Sequence, residues 1–187
     1  GRGTRFHLVG HAYGASVALQ LACDQRHRVA SMCLFEPLTL GMLPLYEERY
    51  DDVRRVLAAV DARAASEPRE VARMFNDFWI GQGGFDALPA YRQDSLVAQI
   101  SKLRLDFRGL RSATVSSIGL RSLTMPIALF EASDSPLAPR HVIDALSEML
   151  PNATRTVLRG GHMAPVTDAR TVNPMIAAFV RAHAEAA

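Results

Sequence analysis

Cysteine is scarce in this sequence. Only two of the 187 residues are cysteines, Cys23 and Cys33, and two are too few to form a disulfide framework. Each lies within an apolar run, which predicts a buried and reduced thiol. Reduced thiols are typical of a reducing compartment, so we expect a cytoplasmic protein.

Long apolar runs, an excess of one charge and ligand-binding motifs are lacking as well. No apolar run approaches the roughly 20 residues of a membrane-spanning helix. The 21 Lys and Arg residues are scattered among 19 Asp and Glu residues, a net charge of +2, so we expect neither a nucleic acid nor a membrane as partner. The sequence has no phosphate loop, no dinucleotide fingerprint and no metal-ligand spacing of histidines, so we expect no cofactor and no metal.

The sequence also starts without an initiator methionine or a signal peptide, since its first residues are Gly-Arg-Gly. This favours a chain that begins within a longer sequence or was processed there. The composition, 49% hydrophobic and 21% charged, is typical of a globular domain with a substantial core.

A strand, a tight turn, a helix and a second strand follow one another in the first 37 residues. The β-rich run 4–9 ends at the turn Gly10-His11-Ala12-Tyr13-Gly14, and the apolar run 15–23 has helical character. Residues 29–35 form a second apolar strand, closed by Glu36-Pro37. A βαβ unit of this kind predicts two parallel strands with a right-handed crossover.

The character of the sequence then changes twice. From residue 38 to residue 123 the apolar positions have helical spacing, with helices predicted at 46–64, 68–79 and 88–105. After residue 123 the strand pattern returns. Strands are predicted at 125–132 and 154–158, and helices at 139–150 and 171–184.

The turn at residues 10–14 resembles the nucleophile elbow of the α/β-hydrolase superfamily, in which a G-x-S-x-G turn joins a strand to a helix. The resemblance implies an α/β fold: the C-terminal half of an α/β-hydrolase parallel sheet, formed by residues 1–37 and 124–187, with a helical cap at 38–123. The elbow strand, Thr4 to Val9, would then be a sheet edge. We expect a missing N-terminal half or another chain to cover it.

The nucleophile position of the elbow is occupied by Ala12, and a methyl group can neither attack a carbonyl nor form an acyl-enzyme. The resemblance assigns the base to His162, in the loop Gly160-Gly161-His162, and the acid to Asp134, which follows the strand 125–132. Glu36, at the end of the second strand, is the rival acid. The backbone N–H of Tyr13 would be the inner oxyanion donor, with the second donor upstream of Gly1.

Further residues of the sequence are candidates for binding a substrate. His11 borders the elbow, where we expect it to brace neighbouring backbone. Aromatic residues of the cap could line an apolar pocket or form the core of the cap itself. The cap aromatics are Phe75, Phe78, Trp79, Phe85 and Tyr91, of which Phe78, Trp79 and Phe85 are our candidates for substrate contact.

Three functions fit these residues. The first is a hydrolase of an ester, thioester or similar small acyl substrate, inactivated by Ala12. The second is a non-catalytic relative that binds a ligand or a partner. The third is a cofactor-free lyase or oxygenase in which His162 acts as base without a covalent step. A fold by itself does not separate them. Because the central residue of such an elbow is strained, we predict a positive φ at Ala12.

Overall fold

The computed structural model describes residues 4–43, 47–112 and 115–184, with the backbone alone for 110–112. Four parallel strands form one sheet in chain order. They are β1 (Phe6–His11), β2 (Val29–Phe35), β3 (Ile127–Ala132) and β4 (Ala153–Leu158). All four lie within two residues of their predicted positions, so the α/β class with a parallel sheet is confirmed.

Helices connect the strands. They are α1 (Tyr13–Asp24), α2 (Asp51–Arg63), α3 (Pro68–Ile80), α4 (Ala90–Ser112), α5 (Ser117–Arg121), α6 (Leu137–Met149), α7 (Ala164–Thr167) and α8 (Ala169–Ala182). We call α2, α3 and α4 the cap helices, and the sequence predicted all three. It missed α5, where the Ser116 side chain accepts a hydrogen bond from Gly119 N–H, and it missed the single turn of α7.

Both faces of the sheet are buried, which explains why β2 and β3 are continuous apolar runs. On one face, Met32 and Leu34 of β2 pack with α1 and α6. On the other face, Cys33 and Phe35 pack towards α8. Cys33 is buried as predicted, and burial raises its pKa to about 12, whereas Cys23 is only partly buried.

The cap helices enclose a core of their own. Val53 and Val60 of α2, Val71 of α3 and Ile100 of α4 are buried together in it. At the elbow, Ala12 is partly buried against this cap core. The helices between β2 and β3 therefore reach the carboxyl edge of the sheet, where β1 ends. None of the helices within the described ranges is both long and apolar enough to cross a membrane.

β1 is an edge strand. It pairs with β2 on one side, and Val9 is 54% exposed. That a further segment or another chain pairs with its outer edge stays a prediction, which follows from the tendency of open strand edges to associate.

The elbow depends on one of its two glycines. A Cβ atom on Gly10 would lie 2.6 Å from the Cα atom of Ala15, where no side chain fits. Gly10 therefore lets β1 and α1 approach closely. Gly14, at the other end of the turn, has no such role, because a Cβ atom there would meet nothing within 4 Å.

We therefore expect Gly10→Ala to lower stability and Gly14→Ala not to lower it. Gly10→Ala forces backbone apart and should lower the free energy of unfolding by about 2 kcal/mol or more. Gly14→Ala lies in the first turn of α1 and should leave the free energy of unfolding unchanged or raise it by up to about 1 kcal/mol. Urea denaturation of the two variants measures both values. Equal losses would show that Gly14 is confined as well.

Candidate active site

The elbow holds Ala12 in a strained backbone conformation. Its φ is 51° and its ψ is −117°, so the predicted positive φ is confirmed. Backbone hydrogen bonds secure the turn to the next strand: Ala12 N–H donates to the carbonyl of Phe35 at 2.9 Å, and Leu38 N–H donates to the carbonyl of Ala12 at 3.3 Å. A non-glycine residue in such a region costs about 1–3 kcal/mol and persists only where its surroundings hold it.

Tyr13 begins α1 directly after Ala12. The N–H groups of a first helical turn have no acceptor within the helix, so they are free to bind an anionic group. The position of Tyr13 is therefore compatible with the oxyanion role predicted for its N–H.

His162 lies in the loop after β4 and contacts a buried carboxylate. Its Nδ1 is 2.7 Å from Oε2 of Glu36, and His162 is only 3% exposed. Glu36 follows β2 and is fully buried. It accepts two more hydrogen bonds at 2.8 Å, from Ala132 N–H and from the Ser135 hydroxyl. Three donors satisfy a carboxylate that water does not reach.

Glu36 is also strained, with a φ of 42°. It and Ala12 are the two non-glycine residues with positive φ in the part of the chain that the structure describes. Both follow the ends of neighbouring strands, at one edge of the sheet. Strain of this kind clusters at functional sites, which supports a functional reading of this edge.

The predicted contact between Asp134 and His162 is wrong. Asp134 is exposed, and its carboxylate accepts a hydrogen bond from the neighbouring Ser133 hydroxyl at 2.7 Å. Its backbone N–H donates to Gly160, which ties its loop to the histidine loop. Glu36, the rival acid, occupies the position expected of Asp134. β2 and β3 are neighbours that end at the same edge, which is why the sequence offers a candidate acid after each of them.

His11 braces the histidine loop. Its Nε2 lies 2.8 Å from the backbone carbonyl of His162. Because a carbonyl only accepts, we assign the proton of His11 to Nε2. Burial is the main cause that lowers the pKa of His11 to about 4, and the nearby His162 lowers it further. His11 is therefore neutral at pH 7, and its predicted bracing of neighbouring backbone falls on the loop that carries His162.

Trp79 of α3 stacks on the ring of His162. The two rings are stacked, with centroids 4.0 Å apart and planes 28° apart. The ring of His11 lies 4.8 Å from that of His162 at 45°. The imidazole thus contacts both a cap residue and an elbow residue.

A cavity of about 170 Å³ joins these residues. Ala12, Tyr13, His11 and His162 line it from the sheet edge. The rest of the lining is apolar except for one carboxylate: Leu38, Phe75, Trp79, Leu103, Phe107, Met163 and Asp106. For comparison, an apolar cavity of about 150 Å³ engineered into a protein binds benzene.

The aromatic candidates of the cap divide between cavity and core. Trp79 lines the cavity, as does Phe75. Phe78 lines a neighbouring cleft instead. The expectation for Phe85 is wrong, because Phe85 is fully buried in the cap core. Tyr91 is 67% exposed.

The sequence analysis missed Leu103 and Phe107, two cavity residues of α4. They are four residues apart and so share one face of the helix. That spacing was a usable signal, but the predicted helix ended at residue 105, before Phe107. No group of His, Cys, Asp and Glu residues among those described is arranged to hold a metal ion.

Comparisons with known proteins agree with this fold. The model of the alpha/beta hydrolase family matches residues 1–174. A protein of Klebsiella pneumoniae named "Putative carbamate hydrolase RutD" is 29% identical over 185 residues, 92% of this chain and 65% of that protein. A Variovorax paradoxus protein of the same name is 30% identical over 183 residues, 94% of this chain and 66% of that protein. The chain thus spans just under two thirds of the length of these relatives.

A solved structure is also similar. A serine hydrolase from Cycloclasticus zankles superposes with a TM-score of 0.72 at 16% identity. The match covers 95% of this chain and 64% of that one. At this identity the likeness concerns the fold alone.

The lowered pKa of His11 predicts a pH dependence of stability. The unfolded chain protonates His11 near pH 6.5, whereas the folded chain does so only near pH 4. The unfolded state therefore binds more protons between these values, and the free energy of unfolding should fall by up to about 3 kcal/mol as the pH falls from 6.5 to 4.

His11→Gln tests this expectation, because its amide keeps a donor but does not titrate. Urea denaturation across this pH range should show a flatter curve for His11→Gln than for the unmodified chain. His27→Gln, which changes an exposed histidine, controls for the loss of one histidine. Identical curves for His11→Gln and the unmodified chain would refute a depressed His11 pKa.

Proposed function

Because the chain belongs to the alpha/beta hydrolase family, we propose that its site is built to bind and cleave a small acyl compound, an ester, a thioester or a related group. We further propose that Ala12 leaves this chain without its nucleophile. The observation that carries the proposal is the buried pair of His162 and Glu36, of which His162 lines the same cavity as the strained Ala12.

The pair has the chemistry of a general base. Glu36 accepts the hydrogen bond of His162 Nδ1–H, which leaves the lone pair on Nε2. With serine at position 12, Nε2 would take the hydroxyl proton as Oγ attacks the substrate carbonyl. The same proton would then pass to the leaving group, and the acyl group would stay on Oγ until water releases it. The N–H of Tyr13 would stabilise the oxyanion.

The cavity limits the substrate class. At about 170 Å³ it suits one ring or a short acyl chain. Asp106 is the one acidic side chain besides the apolar lining, and its charge is paired with Lys102, so the lining favours an uncharged, apolar acyl group. Carbamates, which occur in the name of the Klebsiella and Variovorax relatives, are acyl compounds of the same kind and belong to the series to be assayed.

Two other functions use the same residues. Because Ala12 cannot act as a nucleophile, it favours a protein that binds a ligand without turning it over. A cofactor-free lyase or oxygenase would use His162 as a base without a covalent intermediate. The retained strain of Ala12 favours the hydrolase, because a turn without a catalytic need is free to relax, for instance by acquiring glycine.

We expect Ala12→Ser in the full-length protein to release a burst of p-nitrophenol from p-nitrophenyl butyrate, one equivalent per site. The rate should exceed that of the unmodified protein by at least about a thousandfold, because the attacking oxygen is restored beside an existing base. Adding His162→Gln to Ala12→Ser should abolish the burst. If the folded Ala12→Ser protein binds acyl compounds but is not acylated, the hydrolase proposal is wrong. The ligand-binding function and the non-covalent function are then the two that remain.

The acid assignment is tested in the same Ala12→Ser protein. Glu36→Gln should lower kcat by about 10⁴, because the amide no longer holds the imidazole in its working tautomer. Asp134→Asn, at the exposed carboxylate, is the matched control and should change kcat less than about threefold. The reverse order of effects would restore Asp134 as the acid.

A further inference from the structure

A second cleft lies beside the cavity and shares part of its wall. This outer cleft measures about 430 Å³, and Trp79 and Met163 line both the cavity and the cleft. The outer cleft is more polar, since Asp52, Asp134 and Ser135 contribute to its lining.

Trp79 is the rigid part of this shared wall. Its indole is stacked on His162 and meets Phe78, which lines the cleft, edge-on at 4.7 Å. It also meets Phe75, which lines the cavity, edge-on at 6.1 Å. Aromatic pairs in these arrangements stabilise one ring position. Met163 has a flexible, unbranched side chain and adapts its shape more easily.

From this arrangement we propose that Trp79 determines the length of the compounds that the cavity accepts. The indole closes the cavity at the size of one ring or a short chain. Removing it joins the cavity to the outer cleft and lets a longer chain pass beside His162. This inference rests on the proposed function only in taking the cavity as the site of the acyl compound.

Linear methyl ketones test the inference on the unmodified full-length protein. They carry a carbonyl as esters do, but no leaving group, so binding is measured without turnover. Isothermal titration calorimetry with ketones of increasing length should show affinity rising about fourfold per methylene. The rise should stop at roughly six or seven carbons, when the cavity is full.

Trp79→Ala should remove this limit. Affinity should continue to rise over at least three further methylenes, so the longer ketones should bind about 60-fold more tightly than at the plateau of the unmodified protein. Ile80→Ala is the matched control, because it changes an exposed residue of the same helix that lines the outer cleft and not the cavity. Its plateau should stay where it is in the unmodified protein.

Trp79→Leu keeps the cap core apolar if Trp79→Ala does not fold, and it should shift the plateau by one or two carbons. Folded Trp79 variants with an unchanged plateau would overturn the inference. If no ketone binds to any of these proteins, the acyl cavity and the role of Trp79 are both wrong. If the plateau shifts as expected but Ala12→Ser forms no acyl-enzyme, the inference stands and the catalytic proposal fails.

Discussion

Glu36 can remain fully buried only where enough donors surround it, and three segments of the chain supply them. The end of β3 provides Ala132 N–H, the following loop provides Ser135, and the loop after β4 provides His162. An unpaired carboxylate in such a place would cost several kcal/mol. The requirement therefore fixes how the loops after β2, β3 and β4 meet, and it fixes the ring of His162 with them.

The elbow is joined to the same edge by backbone bonds. Ala12 donates to the last residue of β2 and accepts from Leu38, two residues after Glu36. The strained turn and the strained carboxylate are thus held by the same stretch of chain, 35–38. His11 adds a bond from the elbow to the histidine loop. Together these contacts hold the backbone at position 12 in its strained conformation.

Sequence patterns located the sheet, the cap helices and the elbow because each has a strong local signal. β2 and β3 are uninterrupted apolar runs, and Gly10 marks a strand that meets a helix. The acid that contacts His162 has no local signal of this kind. Glu36 and Asp134 both follow strands that end at one edge, and burial, which separates them, depends on contacts far apart in the chain. Phe85 was expected at the substrate but is buried in the cap core, whereas Phe107, beyond the predicted end of its helix, lines the cavity. Whether an aromatic side chain faces a core or a cavity depends on how the helices pack, which local sequence does not show.

The stacking of Trp79 on His162 has a spectroscopic consequence, because the chain contains one tryptophan. All of its indole fluorescence therefore originates at the base, between the cap and the sheet. Lifting α3 away from the sheet would separate the indole from the imidazole and alter its emission. Movement of the cap over the site can thus be followed in real time in unlabelled protein, without a substrate and without turnover.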